Sequence, residues 1–294
     1  VIDLGGPELL VAKTDPITFA SEDMGRYLLA VNGNDLATVG AEPRWLLVTA
    51  LLPEGVAPEQ AQSVFESLRR ACAEAGVTLV GGHTEITVGL ERPILVGCLL
   101  GTVRRDRLIR TAGARPGDAI MLAGGIAIEG TAILAREHAG ALRARGVAPE
   151  VIEAAAGWLR RPGISVLPAA RALNATGAVH AMHDPTEGGV ITALHELAEA
   201  AGAGVRIDTA AIAVRPECRV ICDALGLDPL GLLASGALLA TLSPVEAPAA
   251  VERLRAAGIP AALIGEVVPA GEDVTPLPVF ARDELARFLE AASR

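Results

Sequence analysis

Apolar runs of strand length alternate with helix-period stretches along the whole chain, and this alternation constrains the fold class before any motif is read. ELLVAKTD (8–15), RWLLVTALL (44–52), VTLVGG (77–82) and ILVGCLLGTV (94–103) have the length and composition of strands. Residues 24–41 and 58–75 carry apolar side chains at helical spacing, and Gly76 stops the second of these stretches. The pattern then repeats. AIMLAGG (119–125), VHAMH (179–183), ALLATL (237–242) and AALIGEVV (261–268) read as strands, among helices over 130–139, 188–200, 245–258 and 282–292. A polar, arginine-rich join, RRDRLIRTAGARPGD (104–118), ends in the turn signal Pro116-Gly117-Asp118 and separates the halves. The expectation is a two-domain α/β (α+β) molecule, with domains at 1–112 and 113–294.

Composition narrows the function classes. Aromatic residues are 2% of the chain and the formal net charge is −10, which argues against base stacking and against a polybasic surface for nucleic acid or membrane. No apolar stretch is long enough to span a bilayer and no secretory signal is visible, so the cytoplasm is the expected compartment. Cys72, Cys98, Cys218 and Cys222 show no paired metal-ligand spacing and are expected to be reduced and buried. Cys218 and Cys222 are placed to share a helix face.

Carboxylates recur where a phosphate site would sit. TDP (14–16) and HDPT (183–186) each put an Asp at the carboxyl end of a strand, although Asp before Pro is also an ordinary turn or cap residue. HDPTEGGV then opens a helix with Gly188 and Gly189, a helix start suited to anions, yet Asp184 and Glu187 stand beside it. In NDLATVG (34–40), Asp35 lies within a half-apolar helix, with Asn32 three residues away on the same face. GGHTEIT (81–87) follows a strand with no helical pattern after it; Gly81 and Gly82 allow close backbone approach, and His83, Thr84 and Glu85 offer an imidazole, a hydroxyl and a carboxylate in a row. Lys13 is the only lysine among 25 Lys and Arg residues, two positions before Asp15. A compact ammonium contacts phosphate as a point charge. These residues suit nucleoside triphosphate bound as its Mg²⁺ complex, the acids holding metal and the metal holding phosphate. No GxxxxGK[ST] or GxGxxG pattern is present, so neither a P-loop nor a Rossmann site is expected.

VNGNDLATVGAEPRWLL, LVGGHTEIT, GGIAIEGTAILARE and HDPTEGGV, in this order, resemble the AIR synthase-related superfamily over nearly the whole chain. The pattern is nearest to its hydrogenase-maturation-factor-like members. The resemblance implies an N-terminal α/β domain that dimerises through its sheet, a C-terminal α/β domain, and ATP with Mg²⁺ in the cleft near the dimer interface. It implies transfer of the γ-phosphoryl to an amide-type oxygen or another acceptor of a small substrate, with release of ADP. A thiamine-monophosphate-kinase-like activity is the alternative, and a non-catalytic nucleotide-binding dimer is a third reading.

By motif matching, Asp15, Asp35 and Glu85 are the implied metal ligands, and His83, Asp184 and Glu187 the implied catalytic residues. Lys13, Thr14, Asn32, Gly81, Gly82, Thr84, Thr186, Gly188 and Gly189 are the implied nucleotide-binding residues. His83 stands where relatives often carry an acid, so Glu85 is expected to take that ligand role, leaving His83 as an acid/base or structural group. Two departures bear on the chemistry. The acidic glycine-rich stretch that precedes the first strand in relatives would lie before Val1, and the chain ends FLEAASR, without the reactive cysteine of the hydrogenase factor's tail. The second point argues against that factor's dehydration chemistry.

Overall fold

The computed structural model describes residues 1–18, 23–272 and 274–292. The chain divides into two compact units, Val1–Leu108 and Ile109–Arg294.

The first unit is built on a five-stranded sheet of β1 (Ile2–Asp3), β2 (Glu8–Ile17), β3 (Glu42–Pro53), β4 (Thr78–Thr87) and β5 (Ile94–Arg104), in the order β1-β2-β5-β3-β4. Only β3 and β4 run parallel. Helices α1 (Met24–Thr38) and α2 (Pro58–Ala75) cover one face. Pro58 pre-sets the first turn of α2 and the left-handed Gly76 ends it, as the sequence suggests. α1 stops at Thr38, short of the expected residue 41, because the Ala41 N–H folds back to the Leu36 carbonyl at 2.8 Å around left-handed Gly40.

Glycines set how closely these layers approach. A Cβ on Gly97 would lie 2.9 Å from Leu28 Cγ and 3.0 Å from Asn32 Nδ2, so β5 is bare where α1 crosses it. A Cβ on Gly25 would lie 2.3 Å from the Leu68 Cα, which brings α1 into backbone contact with α2. The helix-facing side of the sheet holds Leu9, Val11, Leu46, Val48, Leu95 and Leu99, all buried. The other side is apolar but uncovered by either helix, with Trp45 and Leu47 exposed.

The expected strand 77–82 is longer than its apolar run. GGHTEIT is itself strand, paired residue for residue with β3 from Gly82↔Val48 to Thr87↔Pro53. The hydrogen bonds of β3 hold it extended, although its own residues carry little apolar signal.

The second unit is a sheet of β6 (Ala119–Gly124), β7 (Val179–His183), β8 (Gly204–Ile207), β9 (Ala237–Leu242) and β10 (Ala261–Val268), ordered β7-β9-β6-β10-β8 and antiparallel throughout. Its helices are α3 (Ile128–Glu137), α4 (Ala139–Ala144), α5 (Pro149–Ala156), α6 (Leu167–Asn174), α7 (Gly189–Ala201), α8 (Pro216–Leu225), α9 (Ala247–Ala256) and α10 (Glu284–Ala292). Val190, Ile191, Leu194 and Leu197 of α7 pack on Ile120, Leu122, Leu239 and Ile264 of the sheet. Each such side chain stabilises the fold by roughly 2 kcal/mol when fully buried. Both sheets are mainly antiparallel. The rule that ligands gather at the carboxyl ends of parallel strands therefore does not itself locate a site here.

Among the described residues no helix is long and apolar enough to cross a membrane. All four cysteines are free; Cys72, Cys218 and Cys222 are buried and Cys98 is half-buried. Cys218 and Cys222 share a face of α8, with sulfurs 3.9 Å apart.

Candidate functional site

The alternation of β2 carries Leu9 and Val11 into the core and continues through Lys13 and Asp15 on the same helix-facing side before Ile17 closes it. Two charged residues thus occupy core-facing positions at one end of the strand, and α1 supplies the partner. Lys13 Nζ lies 3.1 Å from Asp15 Oδ2 and 3.1 Å from Asp35 Oδ1. Burial disfavours the ammonium, but the carboxylates of Asp35 and Asp15 outweigh it and hold the Lys13 pKa above the ordinary lysine value. The Thr14 hydroxyl, on the opposite side, donates to the Gly97 carbonyl at 2.7 Å and ties β2 to β5 at this level.

Asn32, expected to share a face with Asp35, is turned inward. It is fully buried over Gly97, with Nδ2 donating to the Leu28 carbonyl at 2.9 Å. Its Oδ1 is buried with no hydrogen-bond partner among the described residues. A buried amide oxygen left without a donor suits a site that a ligand or ordered water completes.

Glu85 does not join Asp15 and Asp35 within one chain. The pairing register puts Asp15, Gly97, Val48 and Gly82 in one row across the sheet, three strand spacings or roughly 14 Å wide. His83 and Glu85 pair with Thr49 and Leu51, on the side away from the helices. They are solvent-exposed, with His83 Nε2 3.8 Å from Glu85 Oε2. Among the described residues no group of three or more His, Cys, Asp or Glu converges as a metal cage.

The two glycines before His83 differ. A Cβ on Gly82, whose φ is +151°, would lie 1.9 Å from the Val48 carbonyl oxygen, so glycine is demanded there by the sheet. A Cβ on Gly81 would meet nothing within 4 Å. Thr84 faces the helix side opposite Ala50, and a groove of about 360 Å³ between β3, β4 and α2 is lined by Phe65, Leu68, Leu79, Gly81 and Thr84.

In the second unit Asp184 is buried just after β7, Thr186 accepts from the Gly189 and Ala234 N–H groups through its carbonyl, and Glu187 is exposed. Gly188 and Gly189 are both left-handed, at φ 75° and 68°. Their absent side chains make room for Thr192 Oγ1 and the Leu230 carbonyl oxygen, each within 2.2 Å of the built Cβ position. The Gly188 N–H is already bonded: it donates to Asp283 Oδ2 at 2.8 Å. A carboxylate of the chain itself therefore sits at the α7 start.

Sequence reading missed two carboxylates here. Glu129, in the first turn of α3, is only 8% exposed. Burial pushes its pKa up to about 7, against a hydrogen bond from Ser235, and the charges of Glu187 and Asp283 add to the rise. Burial likewise pushes Asp283 up, opposed by the Gly188 and Leu285 N–H bonds. Glu129 had a signal, a carboxylate inside an otherwise apolar helix start. Asp283 lies 95 residues from Gly188 and had none.

Two family models match. The N-terminal domain of AIR synthase related protein covers residues 1–103, and the C-terminal domain of AIR synthase related protein covers residues 115–276. The chain belongs to the AIR synthase-related family. It is 34% identical over 266 residues to the carbamoyl dehydratase HypE of Cupriavidus necator, covering 87% of this chain and 71% of that protein. It is 32% identical over 245 residues to a putative hydrogenase expression/formation protein of Methanocaldococcus jannaschii, covering 82% and 68%. Among solved structures it is similar to the hydrogenase maturation protein HypE in complex with ATP, at 31% identity and TM-score 0.75, covering 92% of this chain and 80% of that one. Thiamine monophosphate kinase from Aquifex aeolicus, at 21% identity and TM-score 0.72 over 92% and 89%, shares the fold.

Proposed function

We propose that the protein is an ATP-dependent enzyme that activates the oxygen of a small amide-type substrate by phosphoryl transfer and releases ADP. The observation that carries this reading is the convergence of Asp15 from β2 and Asp35 from α1 on one cationic position. Two carboxylates suit Mg²⁺, which is commonly held by one or two such groups plus phosphate oxygens. Asn32 Oδ1, buried and unpaired nearby, adds a further oxygen donor to the same end of the unit. When bound, the ion would neutralise the triphosphate; Asp15 and Asp35 would hold it, and Lys13 would meet a phosphate oxygen.

The resemblance to carbamoyl dehydratases supports an amide-type or carbamoyl acceptor. For the thiamine-monophosphate-kinase-like alternative the fold alone speaks. His83, Asp184 and Glu187 remain the residues assigned to substrate and proton handling, and Glu85 serves the metal only from a second copy. Self-association through the uncovered side of the first sheet, where Trp45 and Leu47 are exposed, fits that assignment.

Calorimetric titration with ATP tests the reading, with and without Mg²⁺, on the wild type and on Asp35→Asn. Mg²⁺-dependent binding that the substitution abolishes is expected. Equal binding by both proteins overturns the metal assignment, and ATP binding without ADP release on any carbamoyl or amide compound points to a sensor.

A further inference from the structure

One ammonium is shared by two carboxylates at the end of β2. Lys13 contributes one positive charge, and Asp15 and Asp35 two negative ones, all on half-buried side chains within 3.1 Å contacts. An ion pair needs one acid, and a position bordered by two carboxylates also suits a divalent ion. The cation provided is also the chain's single lysine, where 25 Lys and Arg residues offered arginine as the habitual choice. A guanidinium would lock both carboxylates in fixed forks, whereas an ammonium on a four-carbon stem lets go and swings.

We propose that Lys13 is a place-holder cation: its ammonium occupies the position between Asp15 and Asp35 until nucleotide phosphate draws it off, so that divalent metal enters with the nucleotide and not ahead of it. The proposal rests on the reading of Asp15 and Asp35 as the metal-holding pair. Metal–oxygen distances for Mg²⁺ are about 2.0–2.1 Å, so an ion bound to both carboxylates must take the space the ammonium fills. Two cations at that position repel. Phosphate offers the ammonium an alternative partner of the same charge sign as the acids it leaves. Metal alone therefore competes with Lys13, while metal with nucleotide does not. Lys13 acts here as a positioning residue, and its effect is on binding order.

The test is titration of the full chain with Mn²⁺ alone, followed by the free-ion electron paramagnetic resonance signal, on wild type, Lys13→Met and Lys13→Arg, with thermal melts to check folding. Lys13→Met is expected to hold Mn²⁺ about tenfold more tightly than wild type, a difference of ~1.4 kcal/mol. Lys13→Arg, which keeps the charge, is expected to bind it as weakly as wild type. Addition of ATP should raise Mn²⁺ affinity more in wild type than in Lys13→Met. Unchanged or weaker Mn²⁺ binding by folded Lys13→Met overturns the proposal. If wild type still binds Mg²⁺-ATP, only this inference falls; if it does not, the reading of the site falls with it. Lys13→Gln carries the same comparison should the methionine variant not fold.

Discussion

Asp283 accepts the Gly188 N–H through Oδ2 at 2.8 Å, and with its other oxygen it accepts the Leu285 N–H at 2.7 Å. One carboxylate thus caps two helices, α7 and its own α10. At α7 the N-cap residue is Gly188, which has no side chain to supply a cap. Asp283→Ala is expected to lower unfolding stability by about 1–2 kcal/mol, the scale of losing a helix cap. Asp283→Asn keeps one acceptor oxygen and turns its NH2 toward the other N–H, so it retains at most one of the two bonds and should cost about half as much. Urea denaturation of the three proteins decides it, and equal loss in both variants would mean that charge and not capping matters.

The second prediction concerns pH. Glu129 has a folded-state pKa raised from 4.5 to about 7, so the folded protein holds its proton more tightly than the unfolded chain. Stability from this group is then present below about pH 4.5 and falls as pH rises through about 7. The full span corresponds to roughly 3 kcal/mol. Glu129→Gln keeps the shape and the neutral form that the burial favours. It should leave stability nearly unchanged at about pH 5 and raise it by roughly 2–3 kcal/mol at about pH 8. A difference between wild type and variant that is flat across this range would show that the carboxyl is solvated in solution.

Gly81 and Gly82 give a third prediction, because they look alike in sequence and differ in structure. Gly82→Ala places a Cβ 1.9 Å from the Val48 carbonyl oxygen and should force β4 away from β3. A loss of roughly 2–3 kcal/mol is expected, the scale of overpacking. Gly81→Ala meets nothing and should leave the melting temperature within about 1 °C. If nucleotide approaches this backbone, as the family resemblance implies, Gly81→Ala should still weaken Mg²⁺-ATP binding. Unaltered binding would reassign GGHTEIT to a purely structural role.

How far sequence reaches depends on where the restraint lies. The α2 boundaries are written locally, in Pro58 and Gly76, and periodicity finds them. The core-facing run Leu9, Val11, Lys13, Asp15 is also local, since strand alternation alone puts the charged pair on the buried side. The extension of β4 through His83 and Glu85 is not local: β3 imposes it by hydrogen bonding, and the strand's own residues are almost all exposed. The burial of Asn32 is not local either. Its spacing to Asp35 is correct, but the bare Gly97 beneath it turns the amide inward. The bond from Gly188 to Asp283 joins residues 95 apart and leaves no mark at either end.

Cys98 offers a final prediction. It sits on the uncovered side of the first sheet, in the pairing row Thr14, Cys98, Leu47. The other three thiols are buried. Burial pushes Cys72 up, and the hydrogen bond to Cys218 together with burial pushes Cys222 up, which further suppresses their thiolates. A thiol reagent should therefore modify one cysteine in the native protein, and peptide mapping should find it at position 98. If a second copy covers this side, the rate should depend on concentration: slow where the protein is associated, and faster on dilution, in step with the mass measured by light scattering. Cys98→Ser should abolish native modification and leave three thiols reactive only in denaturant. Fast labelling of Cys98 at every concentration would mean that the apolar side stays open to water, and self-association would have to use another surface.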